Sequence, residues 1–205
     1  MFGLIDRTTI SRMHLIALLG LSIGLLTALT SHSFSQSSSS NKQDHFVFTG
    51  NGVVHSSNGR LRLAVGDLIT IAQIRERFLG YSINATAAED CEICATITGD
   101  HGSIEVFFDG DGRVIKGISS NDKTSTDALG NRIGDYLLNV TGQDQFCEFG
   151  LMTECEHHYI PGLRVLPKDE VSCEIKVPKG YTSGRVKLKI PSCSRIDGFI
   201  VGAIY

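Results

Sequence analysis

The feature that most constrains this chain is a strand–turn–strand pattern from Gly102 to Ile118. Ile104, Val106 and Phe108 alternate with their neighbours, as in a strand with one buried face. The Asp-Gly repeat at 109–112 supplies the short side chains and glycines that a tight reversal needs. The pattern predicts a β-hairpin at this point in the chain.

Residues 1–35 have the pattern of a secretory signal peptide. Arg7 and Arg12 precede an apolar run, Leu15–Thr30, and small residues follow it. The run is shorter than the roughly 20 residues of a membrane span, so we expect cleavage and a mature form without a span. An uncleaved anchor stays the alternative. The polar, Ser-rich residues 36–45 are predicted to form a disordered tether.

All six cysteines follow this segment, so an exported chain would carry them as a disulfide framework. They are Cys91, Cys94, Cys147, Cys155, Cys173 and Cys193. We predict a local Cys91–Cys94 bridge, with the other four cysteines joining parts of the C-terminal half. Since no cysteine directly follows the apolar run, we expect no lipid anchor, and a periplasmic or secreted location.

Composition excludes few classes of protein. The chain has 205 residues, of which 41% are hydrophobic and 20% charged, and a net charge of −3. These are ordinary values for a globular protein. Because the balance is slightly acidic and no block of Lys or Arg occurs, we predict no nucleic-acid partner.

Two stretches of the chain resemble each other. Asp67 is placed to cap a helix over Leu68–Leu79, and Asp135 a second helix ending at Gly142. Ile133-Gly134-Asp135 matches Val65-Gly66-Asp67 at an offset of 133 − 65 = 68. The stretch 195–200 matches 113–118 at an offset of 195 − 113 = 82, which predicts an insertion near 148–168.

These observations predict an α+β fold. It would contain two tandem related units, 46–120 and 127–205, each a short helix packed on an antiparallel β-meander. The polar stretch 119–126 would be the boundary between them.

The order of these motifs resembles a family of uncharacterised bacterial envelope proteins. The matching features are GDL, helix and GY, then HGSIEVFFDGDGRVIKGISS, then LGNRIGDYL and a terminal RIDGFIV. The family is typified by a sigma-E-regulated outer-membrane lipoprotein. The resemblance covers 61–205 and implies an envelope location, and it brings no catalytic residues. This chain departs from that lipoprotein because it lacks the lipidation cysteine.

Residue types that can bind a metal are clustered at Glu154, His157 and His158. Zinc takes three or four convergent donors, usually from two separated segments. Adjacent histidines on a strand point to opposite faces, and Cys155 is expected to be oxidised. We therefore predict no metal site. If a metal did bind, its candidate ligands would be Glu154, His157 and His158.

Other groupings are also better explained by structure than by chemistry. Asp109 and Asp111 begin like a calcium loop, but Ser120 stands where the motif requires a Glu. Asp100, His101 and Ser103 lack a nucleophile elbow. Glu89, Asp90 and Glu92 surround the Cys91–Cys94 pair and disfavour a reactive thiolate.

We therefore expect no enzymatic activity and no cofactor. The first hypothesis is an exported, non-enzymatic envelope protein that binds another envelope component. The alternative is an inhibitor of a secreted hydrolase, a lysozyme or protease, acting through the loop predicted at 148–168. A thiol–disulfide oxidoreductase using Cys91 and Cys94 is the third.

Overall fold

The computed structural model describes residues 44–88, 91–100, 102–150 and 152–203, without the side chains of 87, 88, 91 and 92. The predicted signal peptide and most of the predicted tether therefore lie outside the described residues. In the described part, β-strands dominate. They are β1 (Phe46–Phe48), β2 (Gly52–His55), β3 (Arg62–Ala64), β4 (Ser82–Ala88), β5 (Cys91–Gly99), β6 (Gly102–Phe108), β7 (Ile115–Ser120), β8 (Thr126–Asp127), β9 (Asp144–Phe149), β10 (Thr153–Glu156), β11 (Leu163–Pro167), β12 (Gly184–Lys189) and β13 (Ile196–Gly202).

The strands form two sheets. The large sheet has nine strands in the order β12-β9-β10-β11-β13-β7-β6-β5-β4, and every neighbouring pair is antiparallel. The small sheet has the order β3-β2-β1-β8, in which β1 and β8 are parallel. The predicted hairpin is confirmed, because β6 and β7 pair around the turn at 109–112.

The predicted α+β fold is wrong. The described residues contain a single α-helix, α1 (Ile71–Arg77), so the architecture is mostly β. The helix also begins later than Asp67. Its N-cap is Thr70, which forms a capping box with Gln73, while the Asp67 carboxylate accepts a hydrogen bond from the Ala64 amide at 2.9 Å. Asp67 therefore closes a turn and does not cap the helix.

The second predicted helix is a 3₁₀ helix of three residues, Leu137–Asn139. Asp135 repeats the behaviour of Asp67, since its carboxylate accepts from the Arg132 amide at 2.8 Å. Tyr136 then stays extended, with φ −65° and ψ 130°. The acidic residue again serves a turn, and only a single turn of helix follows.

Two Gly-Asp turns are fastened to the large sheet in the same way. Gly66-Asp67 exchanges two backbone hydrogen bonds with Ile115, of 2.8 and 3.1 Å. Gly134-Asp135 exchanges two with Ile196, of 2.8 and 2.9 Å. Both glycines have positive φ, 90° and 97°, which a side chain at Cβ disfavours. The matching sequences thus adopt matching local structures.

The centre of the large sheet is the β7–β13 pair. Ser119 pairs with Ile200, 200 − 119 = 81 residues later, and Ile115 and Ile196, which bond the matching Gly-Asp turns, are also 196 − 115 = 81 residues apart. The structure therefore relates the two strands at an offset of 81, one residue less than the offset of 82 in the sequence match. Since β7 lies in the predicted unit 46–120 and β13 in the predicted unit 127–205, residues from both predicted units share one sheet.

The main core lies between the two sheets. On one face of the large sheet, here called the inner face, Val106, Ile118 and Phe199 are buried. Phe48 of the small sheet stacks on Phe199, with ring centroids 5.6 Å apart, and Phe46 contacts Phe78 just after α1. Burial of these aromatic side chains is the main favourable contribution to joining the sheets.

The turn between β1 and β2 of the small sheet also contacts the turn between β10 and β11, and the contact is made by backbone atoms at glycines. A Cβ at Gly50 would overlap the carbonyl oxygen of Pro161, and a Cβ at Gly162 would overlap that of Gly50. We therefore expect Gly50→Ala to lower the free energy of unfolding by about 1–3 kcal/mol, measured by urea denaturation.

Gly59→Ala is the matched control for this substitution. A Cβ at Gly59 would have no heavy atom of a described residue within 4 Å, apart from its two chain neighbours. Equal unfolding midpoints for Gly50→Ala and Gly59→Ala would contradict the close approach of the two backbones.

Candidate functional site

The three predicted metal candidates have different surroundings. His157 is 4% exposed and lies inside, while His158 is exposed. Glu154 is 2% exposed and pairs with Arg164, whose guanidinium also donates to the Gly202 carbonyl. Among the described residues, no three His, Cys, Asp or Glu side chains converge as potential metal ligands.

His157 forms a buried pair with Asp127. Nε2 of His157 lies 2.9 Å from Oδ2 of Asp127, and both side chains have 0% exposure. The other ring nitrogen, Nδ1, accepts the backbone amides of Tyr159 and Ile160, each at 3.1 Å. Because Nδ1 accepts twice, the ring proton sits on Nε2 and is donated to the carboxylate. Both ring nitrogens of His157 therefore have hydrogen-bond partners.

The Asp127 carboxylate also accepts several hydrogen bonds besides the one from His157. Its carboxylate accepts from the side chain of Asn131 at 2.6 Å and from the amides of Asn131 and Leu129 at 2.9 and 2.8 Å. Burial raises the pKa of Asp127, but the hydrogen bonds from His157, Asn131 and Leu129 outweigh it, so that the pKa lies below its ordinary value. The carboxylate remains ionised inside the protein.

This pair is a structural connection. Asp127 belongs to β8 of the small sheet, and His157 directly follows β10 of the large sheet. A fully buried pair with every hydrogen bond occupied has no free position for a substrate. No local sequence pattern indicates Asp127 as a partner, because 30 residues separate it from His157.

Removing the carboxylate should destabilise the fold strongly. We expect Asp127→Ala to lower the free energy of unfolding by about 3 kcal/mol or more, since it leaves buried donors unpaired. Asp111→Ala, at the exposed tip of the β6–β7 hairpin, is the control. Urea denaturation of both variants at neutral pH checks this, and similar midpoints would contradict it.

The buried pair should also make the stability of the fold depend on pH. A carboxylate with a lowered folded pKa stabilises the fold above its unfolded pKa of about 3.9 and loses this effect as the pH falls further. The stability difference between wild type and Asp127→Asn should be constant above about pH 5 and shrink below about pH 4. Thermal unfolding from pH 3 to pH 7 measures it, and a difference that grows on acidification would contradict it.

Two disulfides are described, both in the C-terminal half as predicted. Cys147–Cys155 joins directly paired positions of β9 and β10. Cys173–Cys193 joins residues 20 apart. Cys94 is also disulfide-bonded, but the side chain of Cys91 lies outside the described part, and the predicted Cys91–Cys94 bridge with it.

The Cys173–Cys193 bond frames a surface cleft of about 470 Å³. We call it the lysine cleft. It is lined by Leu138, Gln143, Glu174, Lys176, Lys189, Ile190, Pro191 and Ser192. Six of these eight residues lie between the two bonded cysteines. Of the other two, Leu138 is in the 3₁₀ helix and Gln143 directly precedes β9. The disulfide therefore encloses most of the cleft's wall in one covalent loop.

One wall of the lysine cleft is the segment 173–177, which lies outside the strands and alternates between residues that face the core and exposed residues. Cys173, Ile175 and Val177 are buried or pack against the core. The residues between them, Glu174 and Lys176, are exposed and line the cleft. This alternation anchors the wall with apolar side chains and turns polar ones toward the cleft.

The other wall follows the edge strand β12. Lys189 ends the strand, and the Ile190 amide donates to the Gln143 carbonyl at 2.8 Å. Ser194 then donates its hydroxyl to the Cys173 carbonyl at 3.2 Å, beside the disulfide. These bonds hold the turn at 190–194 against both neighbouring segments.

Two cations of the lysine cleft are available to a ligand. Neither Lys176 nor Lys189 forms an ion pair with a described residue, whereas Arg164, Lys168 and Arg185 do. Leu138, Ile190 and Pro191 supply an apolar floor. Such a combination of apolar surface and a few polar groups is typical of small-molecule sites.

Sequence reasoning missed this cleft. It expected the functional loop at 148–168, where the structure has β10, β11 and the turn between them. The cleft instead uses 174–192, together with 138 and 143. A usable signal was present, since 175–196 contains six Lys or Arg residues and no acidic residue.

The other candidate site residues either stabilise a turn or lie outside the described residues. Asp109 accepts the amides of Arg113 and Val114 at 2.9 and 3.1 Å, and these bonds hold its pKa below the ordinary value. It therefore stabilises the hairpin turn. His101 lies outside the described residues, and its grouping with Asp100 and Ser103 with it. In the described part, the structure contains no helix with the length and apolarity of a membrane span.

Loss of the framing disulfide should loosen the lysine cleft. We expect the double variant Cys173→Ser/Cys193→Ser to lose about 3 kcal/mol of stability, from the entropy of the opened loop. Trypsin should then cut faster after Lys176 and Lys179. The control is Cys147→Ser/Cys155→Ser, in which cutting at these two sites should stay slow under native conditions. Equal cutting rates in the two variants, measured by mass spectrometry, would contradict the framing role.

Comparison with known proteins gives few matches. No protein-family model matches the chain, and no curated protein matches it. Among solved structures, it is similar to the crystal structure of the uncharacterized protein yfeY from Escherichia coli, with 16% sequence identity. The match covers 69% of this chain and 93% of that chain, with a TM-score of 0.42. A likeness at this level supports no conclusion about function.

Proposed function

We propose that this chain is an exported, non-enzymatic binding protein of the cell envelope, and that it contacts another envelope component through the lysine cleft. The observation that carries the proposal is the disulfide-framed cleft itself. Six of its eight lining residues lie within the Cys173–Cys193 loop. A covalent brace around a surface cleft preorganises it, which lowers the entropy cost of binding.

Export is supported by independent features of the chain. Disulfides form and persist in oxidising compartments such as the periplasm or the cell exterior. The signal-peptide pattern of residues 1–35 and the resemblance to bacterial envelope proteins agree with such a location.

The position of the cleft in the chain also supports a binding role. The matching Gly-Asp turns and the constant offset between β7 and β13 are what an internal duplication would produce. In that interpretation β4–β7 correspond to β9, β10, β11 and β13, and the segment 168–195 with β12 has no counterpart. The cleft would then lie in the part of the chain that was added to the repeated framework.

Site-specific photocrosslinking in cells tests this function. A photoreactive residue at Ser192, inside the cleft, should capture a discrete envelope component. The same residue at Asn58, in the exposed turn between β2 and β3, is the control and should capture none. The intact mass of the isolated chain should show loss of about 35 residues, as signal cleavage requires. No adduct at Ser192, or an uncleaved cytoplasmic chain, would overturn the proposal.

A second function is favoured by one specific observation. The turn between β10 and β11 is fixed by the amides of Tyr159 and Ile160, which donate to His157, while the Tyr159 side chain is 62% exposed. A rigid turn with an exposed aromatic residue suits an inhibitor of a secreted hydrolase. Lysozyme and protease inhibition by wild type, lost in Tyr159→Ala, would support this role, and wild type without inhibition would remove it.

A further inference from the structure

We infer that the ligand of the lysine cleft is an organic anion in which a carboxylate or phosphate group is attached to an apolar body. This inference rests on the proposed binding function and specifies its chemistry. The relevant residues are Lys176 and Lys189, which come from opposite walls, and the apolar floor between them.

The charge of the cleft selects an anion. Lys176 and Lys189 form no ion pair with a described residue, so their ammonium groups attract a carboxylate or phosphate, and charge-assisted hydrogen bonds to such groups are stronger than neutral ones. Gln143 and Ser192 line the same cleft and can add hydrogen bonds. A cationic ligand would find only the Glu174 carboxylate and would lie close to both lysines.

Glu174 also limits how much negative charge the ligand carries. Its carboxylate lies in the lining, two residues from Lys176 on the same side of the extended wall. A second anionic group placed near it would be repelled. The cleft therefore fits a ligand with one anionic end, and not a polyanion with evenly spaced charges.

The floor of the cleft selects an apolar body. Leu138 and Pro191 are half-buried and present hydrocarbon surface, while Ile190 beneath them is part of the buried core cluster. Covering such a surface is favourable in proportion to the apolar area removed from water. A volume of about 470 Å³ accommodates a ligand well beyond the size of a simple inorganic ion.

The same chemistry occurs in a free amphiphilic metabolite and in the headgroup region of an anionic lipid. The experiment separates these sources by using soluble octyl phosphate in one arm and phosphatidylcholine vesicles, with and without phosphatidylglycerol, in the other. Isothermal titration of the mature, disulfide-bonded protein reports the first arm, and vesicle sedimentation reports the second. Binding in either arm identifies the source, provided that it depends on the two lysines.

We expect octyl phosphate to bind, and Lys176→Gln or Lys189→Gln to weaken its binding about tenfold each. Lys179→Gln is the matched control, a lysine of the same segment outside the lining. Lengthening the alkyl chain from butyl to octyl should tighten binding by roughly two- to fourfold per methylene. Octyltrimethylammonium should bind much more weakly than octyl phosphate.

Three results would overturn the inference. They are absence of binding in both arms, affinity unchanged in Lys176→Gln and Lys189→Gln, and equal affinity for octyltrimethylammonium. The double lysine variant, photocrosslinked at Ser192, separates this failure from that of the proposed function. An adduct that persists in that variant would mean that the cleft binds a component of different chemistry, so that the binding function stands and the ligand class falls.

Discussion

The relative position of the two sheets depends on a buried polar connection, the hydrogen bond between His157 and Asp127. It joins β8 of the small sheet to the residue after β10 of the large sheet, two strands that are not hydrogen-bonded to each other, and both side chains are shielded from water. In such surroundings an unpaired carboxylate is very costly, which is why the Asp127 loop and the turn after His157 supply additional donors and acceptors. The aromatic contacts between the sheets add attraction, whereas this network fixes their relative position.

The structure assigns rigidity and chemistry to different regions. The paired glycines Gly50 and Gly162, the buried pair and the stacked phenylalanines make the interior between the sheets a closed unit. The polar residues of the lysine cleft are exposed, and the Cys173–Cys193 loop that carries most of them is held by the disulfide and by Ile175 and Val177 on the core. The exposed lining residues Glu174, Lys176 and Ser192 can change without disturbing the sheets, because they are not part of the core.

Sequence reasoning succeeded where the deciding interactions are local. Alternation and the Asp-Gly turn suffice for the β6–β7 hairpin, because the partners are close in the chain. It failed for the helix starts, because a carboxylate such as that of Asp67 fits a cap and a turn equally well. The α+β prediction failed with them. Partners such as Asp127 and His157, and the placement of β12 beside β9, depend on long-range pairing that no local pattern encodes.

The central position of β13 has a consequence for how the chain becomes folded. The strand formed by residues 196–202 lies between β7 and β11, so neither side of the large sheet is complete before it is inserted. Loop closure over such distances makes folding slow, and the earlier strands leave unpaired edges until then. Completion of the large sheet therefore waits for β13, which comes last in the chain order of the described strands.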